Sequence, residues 1–66
     1  MAKMSDRIKK LREAAALTQQ DLAVAVGVTV SQVYRWEKGT HMPNVYALRS
    51  LARVFKVSLD ELIGKE

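Results

Sequence analysis

A chain of 66 residues forms one domain only, and folds this small depend on tightly packed helices, a partner subunit or a covalent staple. Cysteine is absent, which excludes disulfides and thiolate metal sites. The 11 Lys and Arg residues against 7 Asp and Glu give a formal charge of +4, which suits a polyanionic partner without singling one out. No apolar stretch approaches the roughly 20 residues needed to span a bilayer, and Met1 to Asp6 lacks the apolar core of a signal peptide. The expectation is a cytoplasmic protein with no membrane partner. A hydrophobic fraction of 48% with few Gly and Pro residues predicts a chain folded throughout as a single domain over residues 1–66.

Helix starts are announced repeatedly. A Ser or Thr followed three residues later by an acid or amide satisfies the orphan backbone donors of a first turn. Ser5 or Asp6 opens the first helix, whose apolar positions are Ile8, Leu11 and Ala15. Thr18 with Asp21 opens the second, which carries Leu22, Ala23 and Val26 and stops at Gly27. Thr29 with Gln32 opens the third, which carries Val33 and Trp36 and stops at Gly39. Asn44, after Pro43, caps a fourth helix with Val45, Leu48, Leu51, Ala52 and Phe55 at helical spacing. Ser58 with Glu61 opens the last, with Leu59, Leu62 and Ile63. Val28 to Val30 is too short for a strand and lies inside a capping box. The fold class is therefore all-α, a compact five-helix domain.

Only a few residues around Gly27 separate the second and third helices, so they cross steeply as an αα corner, with Ala23 small enough to admit the neighbouring helix. The stretch Thr18-Gln-Gln-Asp-Leu-Ala23, Gly27-Val28-Thr29 and Val33-Tyr-Arg-Trp-Glu-Lys-Gly39 resembles the phage repressor and Cro-type (Xre-type) helix-turn-helix family. The tail from Pro43 to Ile63 is similar to that family's last two helices, so the resemblance covers nearly the whole chain, with the helix-turn-helix at about 18–39.

The resemblance implies that the third helix lies in the major groove of double-stranded DNA, a groove about 12 Å wide that displays a distinct donor and acceptor pattern for each base pair. Residues turned away from Val33 and Trp36 then face bases: Val30, Ser31, Arg35, and Gln32 or Tyr34. Arg35 is the foremost reader, since a guanidinium fork bonds guanine O6 and N7 together; its competing role is a phosphate contact. Ser31 serves a base or a phosphate. Val30 departs from the family pattern, where a polar amide such as Gln often stands, and either touches a thymine methyl or covers a neighbouring helix. Tyr34 either reaches the sugar-phosphate backbone or is a half-exposed surface aromatic. Gln19 at the start of the second helix, and Lys38, Thr40 and His41 after the third, are the expected phosphate contacts. Arg12 and Glu37 match positions that form an internal ion pair in similar repressors.

His41 has no second His or Cys ligand at a useful spacing, so no metal and no cofactor are expected. Trp36 lies at helical spacing from Val33 and reads as core, not as a stacking platform. Lys9, Lys10, Arg49, Arg53 and Lys56 read as solvated outer charges. No nucleophile, base and orienting group are discernible, so the chain is not expected to be an enzyme. The sequence points to a transcriptional regulator, a repressor that binds a palindromic operator as a homodimer, with Tyr46, Leu59 or Ile63 available for the dimer surface. A module that holds a protein partner is the competing class, disfavoured by the basic balance and Arg35.

Overall fold

The computed structural model describes residues 3–64, which form five helices and no strand: α1 (Met4–Ala14), α2 (Gln19–Val26), α3 (Val30–Lys38), α4 (Val45–Phe55) and α5 (Leu59–Ile63). The matching fold class and the four local starts rest on short-range chemistry. In α2 the Asp21 N–H donates to Thr18 Oγ1 and the Thr18 N–H donates to Asp21 Oδ2, each at 3.0 Å. The same reciprocal box joins Thr29 to Gln32 ahead of α3 and Ser58 to Glu61 ahead of α5. Ahead of α4 the Ala47 N–H donates to Asn44 Oδ1 at 2.9 Å.

The first helix departs from expectation at both ends. It begins at Met4 with Lys3 as an extended N-cap that offers no side-chain bond, so neither Ser5 nor Asp6 opens it. Asp6 instead sits in the first turn, where a carboxylate favours the positive end of the helix dipole. The helix then closes before Ala15: Ala16 turns left-handed at φ 59°, and the Leu17 N–H donates to the Arg12 carbonyl at 3.1 Å. Ala15 is consequently exposed and does not join the core.

Ile8, Leu22, Ala23, Val33, Trp36, Ala47, Leu51 and Leu62 form one buried cluster to which every helix contributes. Leu11, Val26, Leu48, Ala52 and Phe55 pack against its margin. Val45, at helical spacing with the apolar residues of α4, is nevertheless 57% exposed, because the buried stripe of α4 runs through Ala47 and Leu51, four residues apart, and Val45 lies well around the helix from both. Leu59 and Ile63 also stay largely outside, leaving Leu62 as the buried residue of α5.

The corner between α2 and α3 depends on Gly27, which caps α2 at φ +86° and donates its N–H to the Ala23 carbonyl at 2.8 Å. Space is not the constraint, since a Cβ there would meet nothing within 4 Å; the left-handed backbone is. Ala23, 1% exposed, lets the two helices approach.

Truncating Leu51, which is fully buried, to Ala should cost about 2–5 kcal/mol, against about 0.5 kcal/mol or less for Val45→Ala; urea unfolding of both variants checks the burial pattern. The backbone N–H and hydroxyl of Thr18 hold the Asp21 carboxylate below its ordinary range. A lowered folded value means that its contribution is present above the unfolded pKa and disappears as pH falls through the folded one. Asp21→Asn should therefore be less stable than wild type near pH 6, with the gap closing in strong acid; a gap independent of pH in denaturant titrations would contradict this.

Candidate nucleic-acid interface

At roughly 100° per residue, the side chains of α3 divide into two sets. Val33 and Trp36 point inward and are buried. Val30, Ser31, Tyr34, Arg35 and Lys38 fall within an arc of roughly 140° on the opposite side, and all five are exposed. Val30 is 40% and Tyr34 50% exposed, so the apolar members of this arc face solvent. Along the helix axis the arc therefore offers a methyl surface and a hydroxyl in its first turn, a phenol and a guanidinium in its second, and an ammonium at its end.

Gln32 does not belong to this arc. Its Oε1 accepts the Thr29 N–H at 3.0 Å, and its own N–H is held by Thr29 Oγ1 at 3.2 Å. The side chain expected among the base readers is thus turned back onto the helix start, because Gln is the acceptor that completes the capping box. Gln19 is likewise drawn inward: its Nε2 donates to Glu37 Oε1 at 3.1 Å. What α2 turns outward at this end is the backbone of its first turn, where the leading amides lack an intrahelical acceptor.

The turn after α3 collects on one carbonyl. Gly39, a left-handed C-cap, and Thr40 both donate backbone N–H groups to the Arg35 oxygen, at 3.0 and 3.1 Å. The Thr40 hydroxyl also leans on that oxygen at 3.4 Å, and the exposed His41 ring lies 3.3 Å from the hydroxyl. Lys38 carries its Nζ over the Tyr34 ring, 5.8 Å from the centroid, within the range of a weak cation–π contact. Among the described residues no group of His, Cys, Asp or Glu side chains is arranged to hold a metal ion, and no helix is long and apolar enough to cross a membrane.

Behind the arc lies the ion pair. Arg12 Nε donates to Glu37 Oε2 at 2.6 Å, Nη2 to Oε1 at 3.2 Å, and Nη1 to the Leu17 carbonyl at 2.8 Å. The side chains are only 12% and 5% exposed. Hydrogen bonding to Glu37 holds the Arg12 guanidinium above its ordinary value against the opposing effect of burial. This fork and Gln19 bring the end of α1, the start of α2 and the last turn of α3 onto one carboxylate. Beside it opens a cleft of about 250 Å³ lined by Lys9, Arg12, Gln19, Tyr34, Glu37 and Lys38. Lys9, read from the sequence as a solvated charge, belongs to this wall; its spacing of three from Arg12 was the available signal.

The sequence that folds into this corner and its outward-facing helix matches the helix-turn-helix family model over residues 8–62. The chain belongs to the helix-turn-helix family. It superposes on a crystal structure of the P22 c2 repressor in complex with synthetic operator 9T with a TM-score of 0.93, at 27% identity and over 100% of both chains. It is 32% identical over 62 residues to the HTH-type transcriptional activator BcrR of Enterococcus faecalis, covering 94% of this chain and 30% of that protein. It is 29% identical over 63 residues to the cryptic phage CTXphi transcriptional repressor RstR of Vibrio cholerae, covering 96% of this chain and 56% of RstR. The chain thus spans less than two thirds of the length of these two relatives, and its match to the family model covers the helix-turn-helix.

Removing one partner of a buried pair leaves the other charge uncompensated, at a cost of about 3–5 kcal/mol. Arg12→Ala should accordingly lower the unfolding midpoint sharply, and Arg12→Met combined with Glu37→Leu should recover most of that loss. Equal melting temperatures for wild type and Arg12→Ala would remove the tether from the account.

Proposed function

We propose that this chain is a sequence-specific regulator of transcription that inserts α3 into the major groove of double-stranded DNA and acts as a repressor by occupying its operator. The observation that carries this reading is the exposed arc of Val30, Ser31, Tyr34, Arg35 and Lys38, opposite the Val33 and Trp36 anchors. None of the first four is committed to the core, and together they offer the donors, acceptors and methyl groups that base edges require. Arg35 reads guanine through its two-pronged guanidinium, Ser31 a neighbouring base or phosphate, and Val30 a thymine methyl. Tyr34, which borders the cleft beside α1, and Lys38, in the last turn of α3, meet the sugar-phosphate backbone, joined by Thr40, His41 and the first amides of α2. The solved operator complex of the P22 c2 repressor and the repressor name of RstR support this assignment.

The active species in this reading is a homodimer whose two recognition helices enter successive major grooves about 34–36 Å apart, which makes the operator a rough palindrome. Tyr46, Leu59 and Ile63 are exposed by 75%, 40% and 49% and supply apolar surface for self-association. The protein works in the cytoplasm, without catalysis, cofactor or metal.

Selection of duplexes from a random library at physiological salt tests the proposal. Wild type should enrich a two-fold symmetric site containing guanine in each half. Arg35→Ala should lose about 1–3 kcal/mol on that site and relax the guanine preference. Retention without any sequence motif would leave only salt-driven backbone binding and overturn sequence-specific regulation.

A further inference from the structure

Tyr34 and Lys38 of the outward arc of α3 line one wall of the adjoining cleft, and the opposite wall carries Lys9 of α1. This position follows from the tether. Lys9 and Arg12 are three residues apart and share a face of α1, while Tyr34 and Glu37 share a face of α3 by the same spacing. The fork that seats Arg12 on Glu37 therefore sets Lys9 across from Tyr34 and Lys38.

The charge balance of the cleft is uneven. Its one carboxylate, Glu37, already accepts from Arg12 and Gln19. Lys9 is exposed and has neither ion pair nor hydrogen bond among the described residues, and the Lys38 ammonium meets only the Tyr34 ring. Two ammonium groups and a phenol thus surround about 250 Å³ of open volume with donors that lack an acceptor. A phosphodiester supplies what is missing: negative charge and oxygens that only accept.

We infer that this cleft seats a single backbone phosphate of the duplex, held by Lys9 from α1 and Lys38 from α3. The inference rests on the DNA-binding reading above and extends it: α1, outside the helix-turn-helix, helps to fix the register of α3 on the groove. Tyr34 contributes its hydroxyl to the same phosphate.

The test measures affinity for a specific duplex between 50 and 200 mM salt for wild type, Lys9→Ala and Lys10→Ala. Both variants remove one charge from α1, but Lys10 does not line the cleft. Lys9→Ala should reduce the slope of log affinity against log salt by about one, so its deficit is about three- to four-fold larger at 50 mM than at 200 mM. Base preference and melting temperature should not change, and Lys10→Ala should track wild type. Binding by wild type with indistinguishable slopes in the two variants would reduce Lys9 to diffuse steering and overturn the phosphate seat alone. No binding of duplex by wild type would overturn the DNA-binding reading, and the seat with it.

Discussion

The Glu37 carboxylate is where three helices are held to one another. Its two oxygens receive two nitrogens of Arg12 and the amide of Gln19, while the third arm of Arg12 closes on the Leu17 carbonyl in the turn between α1 and α2. A buried ion pair of this kind adds little net stability, because desolvation offsets most of the Coulomb gain. Its consequence is geometric. The apolar core consists of residues such as Val33, Leu22 and Ile8, and dispersion contacts among them tolerate small rotations of one helix against another. A planar fork with five donors does not, so the direction of α3 follows from polar contacts more than from packing.

From that constraint the division of labour along α3 can be understood. Val33 and Trp36 fix the depth of the helix, Glu37 fixes its azimuth, and Thr29 with Gln32 fixes its first turn. The positions left over are Val30, Ser31, Tyr34, Arg35 and Lys38, and they bear no part of the fold's weight. Substitution there changes what the surface presents without changing where it is presented. That separation is what a family of regulators with different targets requires of a shared scaffold.

Much of this was legible in the sequence because it is local. A capping box needs only four consecutive residues, so Thr18, Thr29 and Ser58 announced their helices without any knowledge of the tertiary fold, and Gly27 and Gly39 announced the turns. What escaped the sequence is what depends on context. Ala16 and Lys56 adopt left-handed turns at φ 59° and 58° where residue type gives no warning, since tertiary packing imposes a conformation costing roughly 1–2 kcal/mol. Gln32 and Gln19 have the right chemistry for DNA, but each finds an intramolecular partner first. Val45 has a core-like side chain, yet the phase of α4 is set by Ala47 and Leu51. Lys9 shows the same limit from the other direction: as one lysine among several, its place in the cleft wall is invisible until the facing residues of α3 are known.

The small core also shapes how binding and stability are connected. A domain of this size commands only about 3–10 kcal/mol of stability, so the loss of one partner of the Glu37 pair, at about 3–5 kcal/mol, removes a large fraction of it. A nucleic acid that engages α3, the first turn of α2 and Lys9 of α1 together would grip the same three helices that Glu37 ties from within. Because such a ligand binds only the assembled arrangement, it stabilises that arrangement by mass action, and the order of the reading face and the order of the core become one quantity. Precision of the recognition helix is then divided between the internal tether, present at all times, and external contacts added on binding. A weak net contribution from the buried pair is therefore no defect: under the proposed DNA-binding function, its work is to limit the search of α3 to orientations from which a groove can complete the alignment.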